Sequence, residues 1–348
     1  MTNYSKYEKI SYRRLKELLA RLDRVTATVI GDGVLDIYWE ADMTRSRLSR
    51  ETPHYPLPVV KERLSGGGGA NVAANLAALN LERVGLLTVV GEDWRGRELK
   101  DLLKKQGITL DYVVESSDWT TPAYCKPIRH GLSEISYEDP RLDFKNYKKL
   151  PSAIERQMLE LVTEVIERET GVAVADQLEN GIITERIRKE INRVSLSRLV
   201  TVDSRSQIAH FKNAILKPNQ IEAVRAVYPQ PNPAETDFED WKQAGIELSR
   251  KQESPVLLTM GSRGALWIEG GEKLIEVPAI PAQKPIDIVG AGDSFMATFI
   301  AIRAAGASPK EAISIANLAA GVVVKKLRTT GTATRGEIKQ RYQQIYGG

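Results

Sequence analysis

The sequence is poor in the side chains that usually carry metal and redox chemistry. Among 348 residues there is one cysteine, Cys125, and there are three histidines, His54, His130 and His210. A lone cysteine excludes a disulfide scaffold and a cysteine-rich zinc site. The histidines are far apart, with no ligand spacing around them, which argues against a histidine metal site. No apolar run approaches the roughly 18–20 residues that span a bilayer, and the N-terminus lacks the features of a secretory signal. A cytoplasmic protein with no membrane partner is therefore expected. GxxxxGK[ST] is absent, which excludes a P-loop. GDGVLD (31–36) has the wrong spacing for GxGxxG, which disfavours a nicotinamide enzyme. Excess charge is scarce as well. The net charge is +4, and the first 24 residues, with seven Lys/Arg against three Asp/Glu, account for all of it. The rest of the chain is neutral overall, so no nucleic-acid partner is expected. The chemistry must rest on carboxylates, backbone and side-chain amides, and hydroxyls.

What is present is a soluble globular balance, 42% hydrophobic and 27% charged. The length suits two domains, or one large domain with an elaboration. Leu15, Leu18, Leu19 and Leu22 recur at helical spacing. Residues 1–24 thus read as a basic amphipathic helix that packs on a body formed by 25–348. It carries acids and runs straight into the strand-like VTATVIG (25–31), which favours packing over a membrane-surface role. Strand-like and helical segments alternate through the middle of the chain, which predicts an α/β fold: a mainly parallel sheet with helices on both faces. Residues 37–65, with Pro53, Pro56 and Pro58, and residues 110–139 are expected to form a small β-sheet lid. ALWIEGGEKLIEVP (265–278) reads as a hairpin over Gly270-Gly271. Three helices, at 290–305, 308–326 and 334–345, close the chain.

Three glycine clusters precede helices or possible helix starts. Gly66-Gly67-Gly68-Gly69 reads as a turn that lets backbone approach a ligand, with Asn71 offering a donor and an acceptor to a polyol; a tight turn with a capping Asn is the plainer reading. Gly261-Ser262-Arg263-Gly264 is a phosphate cradle or a hairpin turn. Gly290-Ala291-Gly292 would place free N–H groups at the start of an apolar helix, an anion site. Asp293 beside it would compete with an anion unless it accepts a proton, so the pair suggests a base next to an anion hole.

In order along the chain, Gly31-Asp32 with Asp36, GGGGANVAANLAAL, VGEDWRG (90–96), KPNQIE (217–222), TMGSRG (259–264) and DIVGAGD (287–293) resemble the ribokinase-like (PfkB) carbohydrate kinases. LDIYWEADMTRSRLSRETPHYPLPVVKE is similar to the segment after the first strand in the heptose-7-phosphate kinase branch. The resemblance implies a ribokinase-like fold and phosphorylation of a sugar or sugar phosphate with ATP and Mg2+. It implies Asp293 as base and Gly290, Ala291 and Gly292 as the anion hole. It implies Asn219 and Glu222 as the pair organising Mg2+, through water. It implies Asp36, Gly67, Gly68 and Asn71 as sugar contacts, and Thr259, Gly261, Gly264 and Asn317 as nucleotide neighbours. A simple hexose, pentose or nucleoside kinase and a silent sugar or nucleotide sensor are the alternatives. Exposed lid edges suggest a homodimer through the lid. Ile288, Thr298 and Asn80 depart from the family's usual residues. So does Asp176-Gln177-Leu178-Glu179-Asn180-Gly181, which keeps the Asp and Gly of the heptose branch but loses its Tyr and Lys; Arg205 is the candidate replacement cation. Asp139, Arg141 and Asp143 read as a solvated loop.

Overall fold

The computed structural model describes residues 3–5, 9–133, 135–228 and 235–347. Parts of the leading segment and residue 134 of the expected lid lie outside them. The main sheet has ten strands. In spatial order they are Asn3–Ser5, Lys273–Pro278, Gly264–Glu269, Val256–Thr259, Ile215–Leu216, Val200–Ser204, Gly171–Asp176, Thr26–Gly31, Arg83–Gly91 and Val113–Ser116. All neighbours pair in parallel except across the two junctions of the expected hairpin, where Gly264–Glu269 lies antiparallel to both its neighbours.

Strand alternation sorts side chains onto two faces. Ala173 and Ala175 face the core that holds the helices Gly69–Ala78 and Ala291–Ala304. Val172 and Val174 face the core under the helices Ser152–Arg168 and Glu185–Val194. Small residues on the first face let its helices sit close. Gly31 serves the sheet itself, because a Cβ there would overlap the carbonyl of Ala175, its partner on the neighbouring strand. The helix Tyr12–Arg21 buries Leu15, Leu18 and Leu19 in the first core, and the strand Asn3–Ser5, which the leucine pattern did not anticipate, pairs with Lys273–Ile275. Among the described residues no helix is long and apolar enough to cross a membrane.

A second sheet combines Gly33–Asp42, Val59–Gly68, Ala123–His130, Ser136–Glu138 and Leu142–Phe144. Two expectations are corrected here. Val113–Ser116 belongs to the main sheet, paired with Thr88–Gly91, so the first part of 110–139 is not lid. The four glycines do not form a turn: Gly66–Gly68 end the strand, pairing with Gly33–Leu35, and the helix begins at Gly69. Only Gly68 has positive φ, +55°. Gly66 and Gly67 are needed for space instead, since their Cβ atoms would press on Ala70 and on the Asp36 carboxylate.

Candidate active site

The parallel strands carry Asp32, Asp176 and Asp203 at or just beyond their carboxyl ends. The chain leaves the strand Thr26–Gly31 toward Arg83–Gly91 on one side and reaches Gly171–Asp176 on the other. That is a topological switch point, where open α/β sheets leave a crevice for ligands.

The helix Ala291–Ala304 buries most of its length in the core and opens its N-terminus here. Its N-cap is Gly290, with φ +77° and no side-chain cap, whereas Asn219, Asp237 and Ser308 cap their own helices. The Ala291 N–H donates to the Ile288 carbonyl at 3.2 Å, so of the expected anion-hole donors it is already used; the N–H groups of Gly292 and Asp293 are left for a ligand. Asp293 sits in this turn and accepts a 2.6 Å hydrogen bond from Asn71 Nδ2. Burial pushes its carboxyl up to about 6; the Asn71 bond opposes this, and the Asp203 charge adds to it. A Cβ on Gly290 would meet the Asn71 amide at 3.2 Å. Gly290, Asp293 and Asn71 therefore form one packed unit.

On one side lies a cleft of about 470 Å³, lined by Asn219, Thr259, Gly261, Gly264, Ala291, Gly292 and Asn317, with apolar walls that include Ile280, Pro281 and Val324. Its size and apolar lining suit a nucleotide base. Ile288, 75% exposed, also lines this cleft. Several of these polar groups hold one another. Asn219 and Glu222 form a reciprocal capping box, Thr259 Oγ1 donates to the Pro218 carbonyl, and Asn317 Nδ2 donates to the Pro278 carbonyl at 2.9 Å. Gly264, φ +107°, allows no side chain against the Val277 carbonyl. Thr298 is buried in the apolar core of its helix, away from the cleft lining.

On the other side are Gly67 and Asp36, with the Asp36 carboxylate against the Gly67 backbone. Asp36 is 5% exposed, and burial raises its carboxyl against the pull of Lys126, whose Nζ lies 3.2 Å away. Of the fourteen candidate site residues, Asn219, Thr259, Gly261, Gly264, Ala291, Gly292 and Asn317 line the cleft, Gly290 and Asp293 sit at the helix N-terminus, and Asp36, Gly67, Gly68 and Asn71 lie on the strands and helix across from it; Glu222 is outside the lining and reaches it only through its capping box with Asn219.

The sequence reading missed others. Lys217 lies in the quoted KPNQIE motif, yet only the fold pairs it with Asp203, at 2.7 Å, with 3% exposure. Burial opposes the Lys217 charge, but Asp203 overcomes it, helped by Glu222 and Asp293, and its pKa is raised. Arg141 is not merely solvated: it stacks 4.0 Å from the Tyr124 ring and feels Asp36. Arg205 acts on Glu222 and bonds through its backbone to Asp176. Asn80, where the family usually has glycine, has φ +54°; Asn tolerates this region better than other side chains do.

The family model for pfkB family carbohydrate kinases matches residues 37–335. The chain is 30% identical over 319 residues to the Bifunctional protein HldE of Nitratiruptor sp., and 32% identical over 325 residues to that of Gluconobacter oxydans. It covers 65% and 64% of their lengths, with 91% of this chain matched in each case. Among solved structures, Arabidopsis thaliana ribokinase complexed with ribose and ATP superposes with a TM-score of 0.67 at 24% identity, covering 91% of this chain and 98% of that one. Escherichia coli phosphofructokinase-2 in complex with substrates and products gives 0.70 at 22%, covering 92% and 99%. The fold is therefore ribokinase-like, and the chain belongs to the pfkB family of carbohydrate kinases.

Proposed function

We propose that the chain transfers the γ-phosphoryl group of ATP to a hydroxyl of a phosphorylated sugar, with Asp293 as general base. The observation that carries this reading is the position of Asp293. It shares one helical turn with Ala291 and Gly292, which line the cleft, while its carboxylate is held by Asn71 on the acceptor side. ATP occupies the cleft, with Thr259, Gly261, Gly264 and Asn317 along its wall. Asp36, Gly67, Gly68 and Asn71 orient the acceptor. Asp293 takes the hydroxyl proton as the oxygen attacks, and the N–H groups of Gly292 and Asp293 stabilise the transferring phosphoryl group. Positioning and charge stabilisation suffice for this reaction.

The residues fit Mg2+ in one way. Among the described residues no group of three or more metal-binding side chains exists, and the capping box already uses Asn219 Oδ1 and Glu222 Oε2. What remains is the other Glu222 oxygen, which can accept from a metal-bound water, and the Asn219 Nδ2, which can donate to a phosphate oxygen. That suits an ion carried in on phosphates, since Mg2+ keeps several waters and takes few protein ligands. When bound, Mg2+ would neutralise phosphate charge.

A phosphorylated acceptor is supported by cations on the lid. Tyr38 lies two residues beyond Asp36 on the same strand face, about 7 Å along it. Arg63 and Lys126 both stack on its ring at 4.7 Å. With Arg141 above Tyr124, which is paired with Asp36, three cations surround the far end of the acceptor side. Glu40 and Asp143 pair with Arg63 and Arg141 and hold them in place. Heptose 7-phosphate is the first acceptor to test. Arg63→Met or Arg141→Met is expected to raise the KM for a sugar phosphate about tenfold, the equivalent of about 1.4 kcal/mol. The KM for ATP should stay within twofold; equal rises for both substrates would contradict the assignment. ADP release across a panel of sugars, sugar phosphates and nucleosides tests the reaction itself.

We also propose a homodimer through the lid. Val59 and Val60 are about half exposed on an edge strand, and Tyr137 and Leu142 are exposed on the same sheet. An open apolar edge is a pairing template, and a second copy supplies the matching edge. Light scattering is expected to give twice the chain mass; a monomer at working concentration would rule this out.

A further inference from the structure

The loop that follows the strand Gly171–Asp176 departs from the heptose branch. It is held not by its own side chains but by Asp32. Asp32 Oδ1 accepts the N–H of Ile182 at 2.8 Å, and Oδ2 accepts those of Gln177 and Leu178 at 3.1 and 3.0 Å. The fit leaves no slack, because a Cβ on Gly181 would overlap the Asp32 carboxylate. The same residue holds a second segment through its backbone: its carbonyl accepts the Gly69 N–H at 2.8 Å, two residues before Asn71. Its own N–H donates to Ala175 at 3.2 Å, across the switch point. Asp32 is 2% exposed, so its carboxylate is turned to these backbone donors and away from solvent. Gln177 and Asn180, by contrast, are half-buried, and their side-chain amides make no hydrogen bond among the described residues. Two polar amides are thus held on a fixed backbone at the carboxyl edge of the sheet, where ligands bind.

We propose that Asp32 is a positioning residue of the acceptor site. It locks the 177–182 loop and the Gly68–Gly69 junction into one unit across the switch point, and Gln177 and Asn180 on that loop read the acceptor. This rests on the kinase reading for the identity of the acceptor, but not for the clamp itself.

Asp32→Asn keeps the shape and removes charge and one acceptor oxygen. By hydrogen exchange of the full chain, the amides of Gln177, Leu178 and Ile182 are expected to exchange at least tenfold faster. In turnover, the acceptor KM is expected to rise tenfold or more while the ATP KM stays within twofold. Gly181→Ala drives the loop off the same carboxylate and should reproduce both effects, so the test survives if Asp32→Asn folds poorly. Unchanged exchange in both variants would overturn the clamp. Faster exchange with acceptor and ATP KM rising together would overturn the positioning role. If the wild-type chain phosphorylates no acceptor, the kinase reading fails, and the exchange result still decides the clamp.

Discussion

Asp293→Asn is expected to lower kcat by about 10²–10⁴-fold, the usual contribution of a positioned general base, while leaving the fold intact. The amide oxygen can still accept from Asn71, whose bond to Asp293 is 2.6 Å in the wild type. Two further results separate a base from a merely structural carboxylate. The wild-type kcat/KM should fall as the pH drops below about 6, where the buried Asp293 gains a proton. The variant should also be at least as stable as the wild type at pH 8. A carboxyl held at about 6 in the folded chain, against 3.8 for an ordinary aspartate, binds its proton more tightly when folded. Its stabilising contribution is complete below pH 3.8 and is lost as the pH rises through 6. At pH 8 the ionised Asp293 is therefore a cost, and removing its charge should raise Tm by about 1–2 °C for each kcal/mol relieved in a chain of this length. Near-wild-type turnover in this variant would remove Asp293 as the base.

Lys217→Met is expected to act in the opposite direction on stability. It strands the Asp203 carboxylate, which pairs with Lys217 at 2.7 Å in a site where the lysine is 3% exposed. Losing one partner of a buried pair costs about 3–5 kcal/mol. Activity should fall too, because Lys217 also interacts electrostatically with Glu222 and Asp293. Adding Asp203→Asn should recover most of the lost Tm but not the activity. Thermal melts and turnover of the two variants test this; recovery of both together would make the pair purely structural.

The contrast between these residues shows what could be read in the sequence. The placement of Asp293 in the first turn of a buried helix was legible because it is local: small residues, an apolar helix and an adjacent carboxylate lie within one short run. Lys217 and Asp203 are fourteen positions apart, and the sheet alone brings their strands together. Lys126 and Arg63 were invisible for the same reason, since each meets Tyr38 only through strand register. Alternation could not assign Val113–Ser116 to a sheet, because edge strands of both sheets share the pattern. In sequence the glycine run reads as a turn because flexibility and lack of volume look alike there. Gly66 and Gly67 remain in the strand, and their missing side chains make room for Ala70 and Asp36. A signal for the strand ends was present: VTATVIGD, VAVAD and LVTVD each close an apolar run with Asp. Three such carboxylates gather at the edge where parallel sheets bind ligands.

The most direct test is ADP release by the wild-type chain with ATP and Mg2+ across sugars, sugar phosphates and nucleosides, with the phosphorylated product mapped by NMR. Transfer to a hydroxyl of a sugar phosphate, abolished by Asp293→Asn, is the expected result. Binding of ATP and a sugar with no ADP released across the whole panel would contradict it and favour a silent sensor.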